Sequence, residues 1–436
     1  MAYPAYAEYT STRWDEVGSI PSEWEARRLK FAVLLRNEKI EAESANLEYM
    51  GLENIQSWTG KRIEDESSFS EGIANRFEPN DVLFGKLRPY LAKVYLAEKE
   101  GMATTEALVL QSERDLVPAF LKYLMLSDKF IDDVSGTTYG AKMPRANWDS
   151  IGSLPILLPD LTEQQQIADF LDWKTGQIDG LISKKQQLIE KLKEKRIALI
   201  TQAVTKGLNP NAPMRDSGIP WLGEVPEHWE VRRLKFTALE PLKYGANESA
   251  ECEDTDFPRY IRITDVKEDG SLHSDTFRSL LPEVAEPYLL TDGDILLARS
   301  GATVGKSFQY SPDWGKAAYA GYLIRFRVDS SVLLPIFAYY FTKSQIYWAN
   351  INSTLIQSTI QNFNAEKYGS INIPVPPLGE QEHIVKAISR KCIKIDSLTL
   401  AAQQVVDRLT EYRTALITAT TNGKIDVRNV KIGGAA

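Results

Sequence analysis

The chain has 436 residues, more than one hydrophobic core usually serves, so we expect at least two domains. Its 51 Lys and Arg residues against 59 Asp and Glu residues give a net charge of −8, which argues against indiscriminate nucleic-acid binding over the whole surface. No apolar stretch approaches the ~18 residues of a membrane span, and the N-terminus lacks the pattern of a secretory signal. Cys252 and Cys392 lie far apart without a CxxC motif. We therefore expect a cytoplasmic protein without membrane contact or disulfide framework.

The chain contains an internal duplication. Residues 17–31 (VGSIPSEWEARRLKF) match residues 222–236 (LGEVPEHWEVRRLKF) at nine of fifteen positions. From Pro118 onward the two copies align at an offset of 217 residues, so that residues 198–201 (ALIT) return as residues 415–418. Each half of the chain is therefore one copy of the same structural unit.

Each copy begins with short β-like segments between turn residues and continues with a helical segment that a proline opens. The predicted strands of the first copy are residues 81–87, 93–96 and 104–110, followed by a helix over 118–134. The predicted strands of the second copy are residues 259–266, 294–300 and 322–328, followed by a helix over 335–350. A proline-rich strap, residues 154–159 or 373–377, then marks a boundary because proline cannot continue a helix.

A long helix closes each copy. In the first copy, Thr162 and Gln165 form a capping-box pattern and Gly207 is a stop signal, which predicts a helix over residues 163–205, ~64 Å long. Apolar residues recur along both helices with coiled-coil spacing, so we expect a helix–helix seam, antiparallel if the lobes lie at opposite ends. The predicted seam consists of Ile167, Leu171, Ile178, Leu181, Leu188, Leu192, Leu199, Ile384, Ile388, Ile395, Leu398, Val405, Leu409 and Leu416.

These patterns predict an α+β protein with two mixed α/β lobes, internally duplicated and separated by two long antiparallel coiled-coil helices. The predicted domains follow the chain in order. They are a first lobe over 1–155, a strap and helix over 156–207, a linker and second lobe over 208–372, a second strap and helix over 373–424, and a tail over 425–436.

Catalytic motifs are incomplete. Residues 301–307 (GATVGKS) have three residues between the glycines, where a phosphate-binding loop needs four. Asp160, Asp172 and Lys174 resemble a nuclease motif, but the second copy does not repeat it. The three histidines are scattered and form no metal-ligand pattern. We therefore expect no catalytic residue, no metal site and no cofactor on this chain.

The aligned positions that differ most between the copies lie in the lobes, at residues 138–145 (TYGAKMPR) and 355–362 (LIQSTIQN). A duplicated enzyme would keep its catalytic residues twice, whereas a duplicated reader of two different sequences would keep its frame and change its contacts. This pattern favours a reader whose hydrogen-bonding side chains suit base edges and phosphates. The candidate DNA-binding residues are Lys86, Arg88, Tyr139, Lys142, Arg145, Arg299, Ser300, Lys306, Gln357, Gln361 and Asn362.

The ordered set of motifs resembles the specificity subunit of type I restriction-modification systems. The motifs are residues 21–24 (PSEW), 86–90 (KLRPY), 161–168 (LTEQQQIA), 194–196 (EKR) and 205–207 (TKG), most of them with second copies, so the match spans nearly the whole chain. The resemblance implies two target-recognition domains on the halves of a split double-stranded DNA target, with the helices setting the spacer. It also implies two methyltransferase subunits that hold S-adenosylmethionine and methylate adenine, and separate ATP- and Mg-dependent restriction subunits that translocate and cut.

Two alternatives remain from the residues alone. One is a coiled-coil adaptor whose lobes bind proteins without reading DNA. The other is a stand-alone nuclease, which would need catalytic residues that the sequence does not provide.

Overall fold

The computed structural model describes residues 3–14, 17–43, 46–63, 72–140, 142–249, 251–267, 270–356 and 362–433. The chain forms two compact units: unit 1 contains residues 1–186 and 403–436, and unit 2 contains residues 187–402. Each unit combines one lobe with one half of each long helix. The predicted α+β class with duplicated mixed lobes and two long helices is confirmed, whereas the predicted domain boundaries at the ends of the helices stay a prediction.

Unit 1 is built on an antiparallel sheet of order β4-β11-β8-β9 and a second, mixed sheet of order β5-β7-β10-β6. Val82, Leu83 and Phe84 of β8 are fully buried, so this strand lies at the centre of the lobe. The strands are β1 Tyr9–Ser11, β2 Ser19–Pro21, β3 Glu25–Arg28, β4 Val33–Arg36, β5 Lys39–Glu41, β6 Tyr49–Met50, β7 Ile73–Phe77, β8 Val82–Gly85, β9 Val94–Leu96, β10 Gly101–Ala103, β11 Ala107–Ser112 and β12 Pro155–Leu158. The helices are α1 Pro118–Met125, α2 Asp128–Gly136, α3 Trp148–Ser153 and α4 Leu161–Lys206, which continues into unit 2.

Unit 2 repeats this plan with an antiparallel sheet of order β16-β21-β18-β19 and a parallel pair, β17 and β20. Ile295, Leu296 and Leu297 of β18 are fully buried, as their counterparts in β8 are. The strands are β13 Met214–Asp216, β14 Glu224–Pro226, β15 Glu230–Arg233, β16 Lys243–Tyr244, β17 Arg259–Ile261, β18 Ile295–Ala298, β19 Ser307–Gln309, β20 Ala317–Tyr319, β21 Leu323–Phe326 and β22 Asn372–Val375. The helices are α5 Pro282–Ala285, α6 Pro335–Thr342, α7 Gln345–Ile356, α8 Ala365–Ser370 and α9 Leu378–Thr421, which returns to unit 1.

The predicted single helix of each lobe is two helices. Ser127 stands between α1 and α2, and its hydroxyl accepts a hydrogen bond from the Phe130 amide. Ser344 takes the same place between α6 and α7 and accepts from the Tyr347 amide at 3.3 Å. A serine that caps a new helix start competes with continuation of the preceding helix, so the chain turns at this point in both copies.

Each strap is also a strand. β12 pairs antiparallel with β3, and β22 pairs antiparallel with β15. The tryptophan before each paired segment, Trp24 or Trp229, is buried. In both copies, therefore, the strand that follows the Pro-x-x-Trp motif pairs with the strap and closes the lobe.

A buried glutamine fixes each long helix to its lobe. The Gln164 side chain accepts from the Val117 amide at 2.8 Å and donates to the Asp115 carbonyl at 2.9 Å. Gln381 accepts from the Leu334 amide at 2.7 Å and donates to the Val332 carbonyl at 3.0 Å. Because a buried amide must keep its partners, this contact explains why both copies retain Gln at this position.

The two long helices pack antiparallel within each unit. In unit 1 the first half of α4 shares a hydrophobic core with the last turns of α9, including Leu416 and Ile417. In unit 2 the last turns of α4, including Ile200 and Val204, share a core with the first half of α9. The helices therefore run in opposite directions, as the sequence led us to expect.

The predicted seam is wrong at four positions. Leu181 is 49% exposed, Leu188 42%, Leu398 50% and Val405 38%. One set of buried apolar side chains instead recurs every eleven residues along the whole length of the helices, at 167, 178, 189 and 200 on α4 and at 384, 395, 406 and 417 on α9. A straight helix turns ~100° per residue, so eleven residues return to nearly the same face, whereas Leu181 lies ~60° and Leu188 ~80° away from Ile178.

A repeat-matched ion pair joins the helices in each unit. In unit 1 the Arg413 Nε donates to Asp179 Oδ1 at 2.9 Å, and in unit 2 the Arg196 Nε donates to Asp396 Oδ1 at 2.9 Å. Arg413 is only 5% exposed and also donates to the carbonyls of Trp58 and Thr59 at 2.7 and 3.1 Å. It therefore anchors a lobe loop to the helices, while Arg196, 33% exposed, pairs with Asp396 alone among the residues that the structure describes.

This difference predicts unequal effects of the same substitution at equivalent positions. Arg413→Ala leaves two carbonyls without their donor and leaves the largely buried Asp179 carboxylate with the half-exposed Lys61, 2.7 Å away, as its cationic partner. The free energy of unfolding should therefore fall by about 2 to 4 kcal/mol. Arg196→Ala removes a partly exposed pair and should cost at most about 1 kcal/mol. Urea unfolding followed by circular dichroism would measure both, and equal losses would contradict the anchoring role of Arg413.

Candidate nucleic-acid interface

The central buried strand of unit 1 ends at the candidate residue Lys86. The Lys86 amide donates to the Glu106 carbonyl and the Lys86 carbonyl accepts from the Ala146 amide, both at 2.9 Å. Leu87 forms a β-bridge with Arg145. Three chain segments, around residues 86, 106 and 145, are thereby tied together at one edge of the lobe.

Arg145 lies in this edge with its guanidinium held on one side. Its Nη2 donates to Glu106 Oε1 at 2.9 Å, while its buried Nε has no hydrogen-bond partner among the described residues. Arg145 and Tyr139 exchange two backbone hydrogen bonds of 3.0 and 3.1 Å, which closes the loop between them. The Tyr139 ring is 58% exposed. The loop therefore presents a cation and an aromatic face side by side.

An open cavity of about 400 Å³ brings three candidate residues together, since Lys86, Tyr139 and Arg145 all line it. Asn75 and Trp148 contribute an amide and a second aromatic ring to the same wall. This combination of hydrogen-bonding forks and flat apolar surfaces suits the edges and faces of nucleobases. Sequence reasoning missed Asn75 and Trp148, because only the tertiary structure brings them to the cavity.

Two other candidates of unit 1 lie outside the cavity wall. Arg88 is half-buried with a left-handed backbone (φ 51°), and its amide donates to the Pro144 carbonyl at 2.8 Å. Its backbone therefore helps to hold the loop that carries Arg145. Lys142 is exposed and does not line the cavity.

Unit 2 has the same backbone arrangement with different side chains. The Arg299 amide donates to the Tyr322 carbonyl at 3.1 Å, and the Arg299 carbonyl accepts from the Phe363 amide at 2.8 Å. Ser300 forms a β-bridge with Asn362, as Leu87 does with Arg145. The offset of 217 residues places Asn362 at the position of Arg145.

Three equivalent positions therefore meet in each lobe, and we call them the recognition trio. In unit 1 the trio is Lys86, Glu106 and Arg145; in unit 2 it is Arg299, Tyr322 and Asn362. The backbone hydrogen bonds are the same and the residue type differs at every position, with a cation kept only at the first of the three. Sequence reasoning missed Glu106 and Tyr322, which precede the equivalent strands β11 and β21 and carry no motif of their own.

Arg299 packs over an aromatic ring that the sequence did not single out. Its guanidinium carbon lies 5.0 Å from the centroid of the Tyr244 ring, and Tyr322 beside it is 64% exposed. The buried Arg299 Nε, like that of Arg145, has no hydrogen-bond partner in the described part of the chain. Gln357 and Gln361, the remaining candidates near Asn362, lie outside the described residues.

The incomplete catalytic motifs have structural roles. Ser307 begins β19 rather than a helix, so residues 301–307 do not form the loop-to-helix geometry that cradles phosphates. Asp160 accepts from the Glu163 amide at 2.8 Å and caps α4. Asp172 accepts from the Tyr123 hydroxyl and the Lys122 amine at 2.5 and 2.8 Å.

No helix among the described residues is long and apolar enough to cross a membrane. The same residues contain no group of three or more His, Cys, Asp or Glu side chains that could hold a metal ion.

Comparison with known proteins gives a consistent picture. The model of the family described as "Type I restriction modification DNA specificity domain" matches residues 21–194 and again residues 226–406. The chain is 25% identical over 378 residues to the type I restriction enzyme MjaVIII specificity subunit of Methanocaldococcus jannaschii, covering 83% of this chain and 85% of that protein. It is 22% identical over 323 residues to the StySPI specificity subunit of Salmonella potsdam, covering 72% and 67%.

One solved structure shares the fold along nearly the whole chain. It comes from work on complex assembly and conformational transition of the type I R-M system, and it superposes with a TM-score of 0.73 at 18% identity. The alignment covers 93% of this chain and 99% of that chain.

A buried amine lies near the candidate Lys306 in unit 2. The Lys343 Nζ donates to the Ser307 carbonyl at 2.7 Å and lies 4.8 Å from the centroid of the Tyr339 ring. Burial, followed by the positive charges of Arg196 and Lys306, lowers the pKa of this amine from 10.5 to about 8. The folded lobe therefore disfavours the charged form of Lys343.

This pKa shift predicts that Lys343 contributes to the pH dependence of stability in alkaline solution. Between pH about 8 and 10.5 the unfolded chain keeps a proton on Lys343 that the folded chain has released, so this group contributes a rise in the free energy of unfolding with pH. Buried tyrosines with raised pKa values, such as Tyr123 and Tyr368, contribute a fall as the pH approaches 10. Lys343→Met, which cannot titrate, should therefore lose stability relative to the wild-type chain as the pH rises through the window. Denaturant midpoints of both proteins across the window would test this, and parallel pH profiles would show that Lys343 is not the responsible group.

Proposed function

Because this chain belongs to the family of type I restriction modification DNA specificity domains, with two matched regions, we propose that it reads a two-part DNA target with one lobe on each half-site. The observation that carries this proposal is the recognition trio. Both lobes hold three side chains at one edge with the same backbone hydrogen bonds, and all three side chains differ. To read two different sequences, the two lobes need the same backbone arrangement with different side chains at the positions that contact bases.

The chemistry of the two trios suits different bases. Arg145 offers a guanidinium fork of the kind that pairs with guanine, whereas Asn362 offers the amide that pairs with adenine. In the free chain Glu106 holds Arg145, so binding a base with this side chain requires exchange of the Glu106 contact. Lys86 and Arg299 take the equivalent position, where a cation suits either a base or a phosphate. The adaptor alternative, without DNA readout, is not favoured, since both matched regions belong to a DNA specificity family.

We further propose that reaction chemistry belongs to partner subunits of a type I restriction-modification complex in the cytoplasm. Two methyltransferase subunits would hold S-adenosylmethionine and methylate adenine, and restriction subunits would use ATP and Mg. Each unit has exposed apolar residues on its helix halves: Leu181 and Val405 in unit 1, and Leu188 and Leu398 in unit 2. Apolar side chains that stay exposed at repeat-matched positions suit helices of an identical partner on each unit.

Substitutions in the two trios should act on separate half-sites. Arg145→Ala should relax one position in one half-site, costing about 1 to 3 kcal/mol of discrimination, and Asn362→Ala should do the same in the other half-site. Lys99→Ala, an exposed control outside the cavity and outside the candidate set, should leave the recognised sequence unchanged. Sequencing of methylated adenines in cells carrying the whole system would read the result. If either trio variant altered both halves, the lobes would not be independent readers.

The helices are also proposed to set the spacer between the half-sites. Two further eleven-residue repeats, inserted after Lys185 and at the matched point after Ala402, would lengthen both helices by about 33 Å and keep the buried face in phase. Since one turn of DNA is ~34 Å, the spacer should grow by about ten base pairs with both half-sites unchanged.

An insertion of nearly the same length provides the control for the proposal that the helices set the spacer. Removing two residues from each insert turns the following apolar face by ~160° and should destabilise the chain without giving a new spacer. Methylated sites would be mapped as above. An unchanged spacer in the in-phase variant would show that the helices do not measure the DNA.

A further inference from the structure

Each unit exposes the same two apolar side chains beside the same turn. Phe31 and Leu34 of unit 1 are 65% and 54% exposed, and Phe236 and Leu239 of unit 2 are 64% and 65% exposed. A single exposed apolar residue needs no explanation. Two that lie three residues apart in the chain, present in both copies with similar exposure, indicate a shared cause.

The turn that carries them is fixed. A short 3-10 helix, Leu29–Phe31 in unit 1 and Leu234–Phe236 in unit 2, has its leucine fully buried. The leucine amide donates to the strap side of the lobe, from Leu29 to the Leu154 carbonyl at 3.0 Å and from Leu234 to the Ile371 carbonyl at 2.8 Å. The apolar pair is therefore presented in one orientation rather than by a loose loop.

Basic side chains border the pair in both units. Arg28 and Lys30 of unit 1, and Arg233 and Lys235 of unit 2, are exposed and form no salt bridge with any described residue. The Lys30 Nζ lies 5.5 Å from the Phe31 ring centroid, and the Lys235 Nζ lies 5.1 Å from that of Phe236. We call each group of four, Arg28, Lys30, Phe31 and Leu34 or Arg233, Lys235, Phe236 and Leu239, the basic-apolar patch. Its free positive charges complement an acidic partner surface, although the whole chain has a net charge of −8.

We propose that each basic-apolar patch docks a protein partner that offers an apolar pocket edged with carboxylates, and that both patches take the same partner. An apolar centre with a charged border is the usual anatomy of a protein interface. A base-reading surface would differ between the lobes, as the recognition trios do, whereas this patch is the same in both. If the patch bound DNA phosphates, the repeated cations would be explained, but the exposed Phe and Leu side chains would have no contact.

The identity of the partner rests on the proposed function. In a restriction-modification complex, the component that both units must bind alike is the methyltransferase subunit. The patch would add a lobe contact to whatever contacts that subunit makes elsewhere, and one subunit would occupy each patch.

The test uses the full chain, the purified methyltransferase subunit of its own system and a mixed-sequence DNA duplex. We expect the wild-type chain to bind two methyltransferase subunits. Phe31→Ser with Leu34→Ser should weaken one of the two binding events at least about tenfold, Phe236→Ser with Leu239→Ser should weaken the other, and the combined variant should weaken both. Lys30→Glu with Lys235→Glu should weaken both events and make them less sensitive to salt. Native mass spectrometry and titration calorimetry would give stoichiometry and affinity.

Matched controls are Ile73→Ser in unit 1 and Leu281→Ser in unit 2, which are 58% and 56% exposed and lie outside the patches. These controls should leave both binding events and the melting temperature unchanged. DNA affinity of the chain alone should stay the same in the patch variants. Loss of DNA affinity with intact methyltransferase binding would assign the patch to DNA and overturn the proposal.

Failure of the patch assignment can be distinguished from failure of the proposed function. Normal methyltransferase binding by every patch variant overturns the patch assignment and leaves the proposed function standing. A wild-type chain that binds no methyltransferase subunit overturns both.

Discussion

Each long helix carries an apolar face that it cannot bury alone, and in each unit the other long helix covers it. This constraint decides how the chain is divided. The first half of α4 finds its cover in the last turns of α9, so residues 1–186 and 403–436 form one unit although more than two hundred residues separate them. The repeated ion pairs Asp179–Arg413 and Asp396–Arg196 fix the register of that packing in each unit.

The lobes depend on the helices through a few buried polar contacts. Gln164 and Gln381 tie the start of each helix to the carbonyls and amides ahead of α1 and α6. Arg413 adds an anchor for the loop at Trp58 and Thr59 in unit 1. Because a buried amide or guanidinium without its partners costs free energy, these contacts hold the orientation of a lobe on its helix halves. A reader of two half-sites needs that fixed orientation, since base recognition tolerates little displacement.

The duplication also distinguishes the features that both lobes share from the side chains that differ between them. The strand order of the four-stranded antiparallel sheet, the capping serines Ser127 and Ser344 and the pairing of the strap are the same in both units. The side chains at the recognition trio are not, with Arg145 in one unit and Asn362 in the other. The backbone hydrogen bonds at this edge are therefore shared by the two units, while the side chains that the edge carries differ.

The sequence by itself determined the duplication, the mixed lobes and the two long helices, because offset, turn residues and apolar periodicity are local properties of the chain. It also placed Lys86 and Arg145 among the candidate residues, from the hydrogen-bonding groups that their side chains carry. It was wrong about Leu181, Leu188, Leu398 and Val405, because these side chains lie ~60° to ~80° around the helix from the face that recurs every eleven residues, and only packing selects the face that is buried. The tertiary structure alone decided that Glu106 and Tyr322 join the trios and that Asn75 and Trp148 line the cavity. Those residues come from strands and helices distant in the chain, and their proximity follows from sheet pairing, which no local pattern encodes.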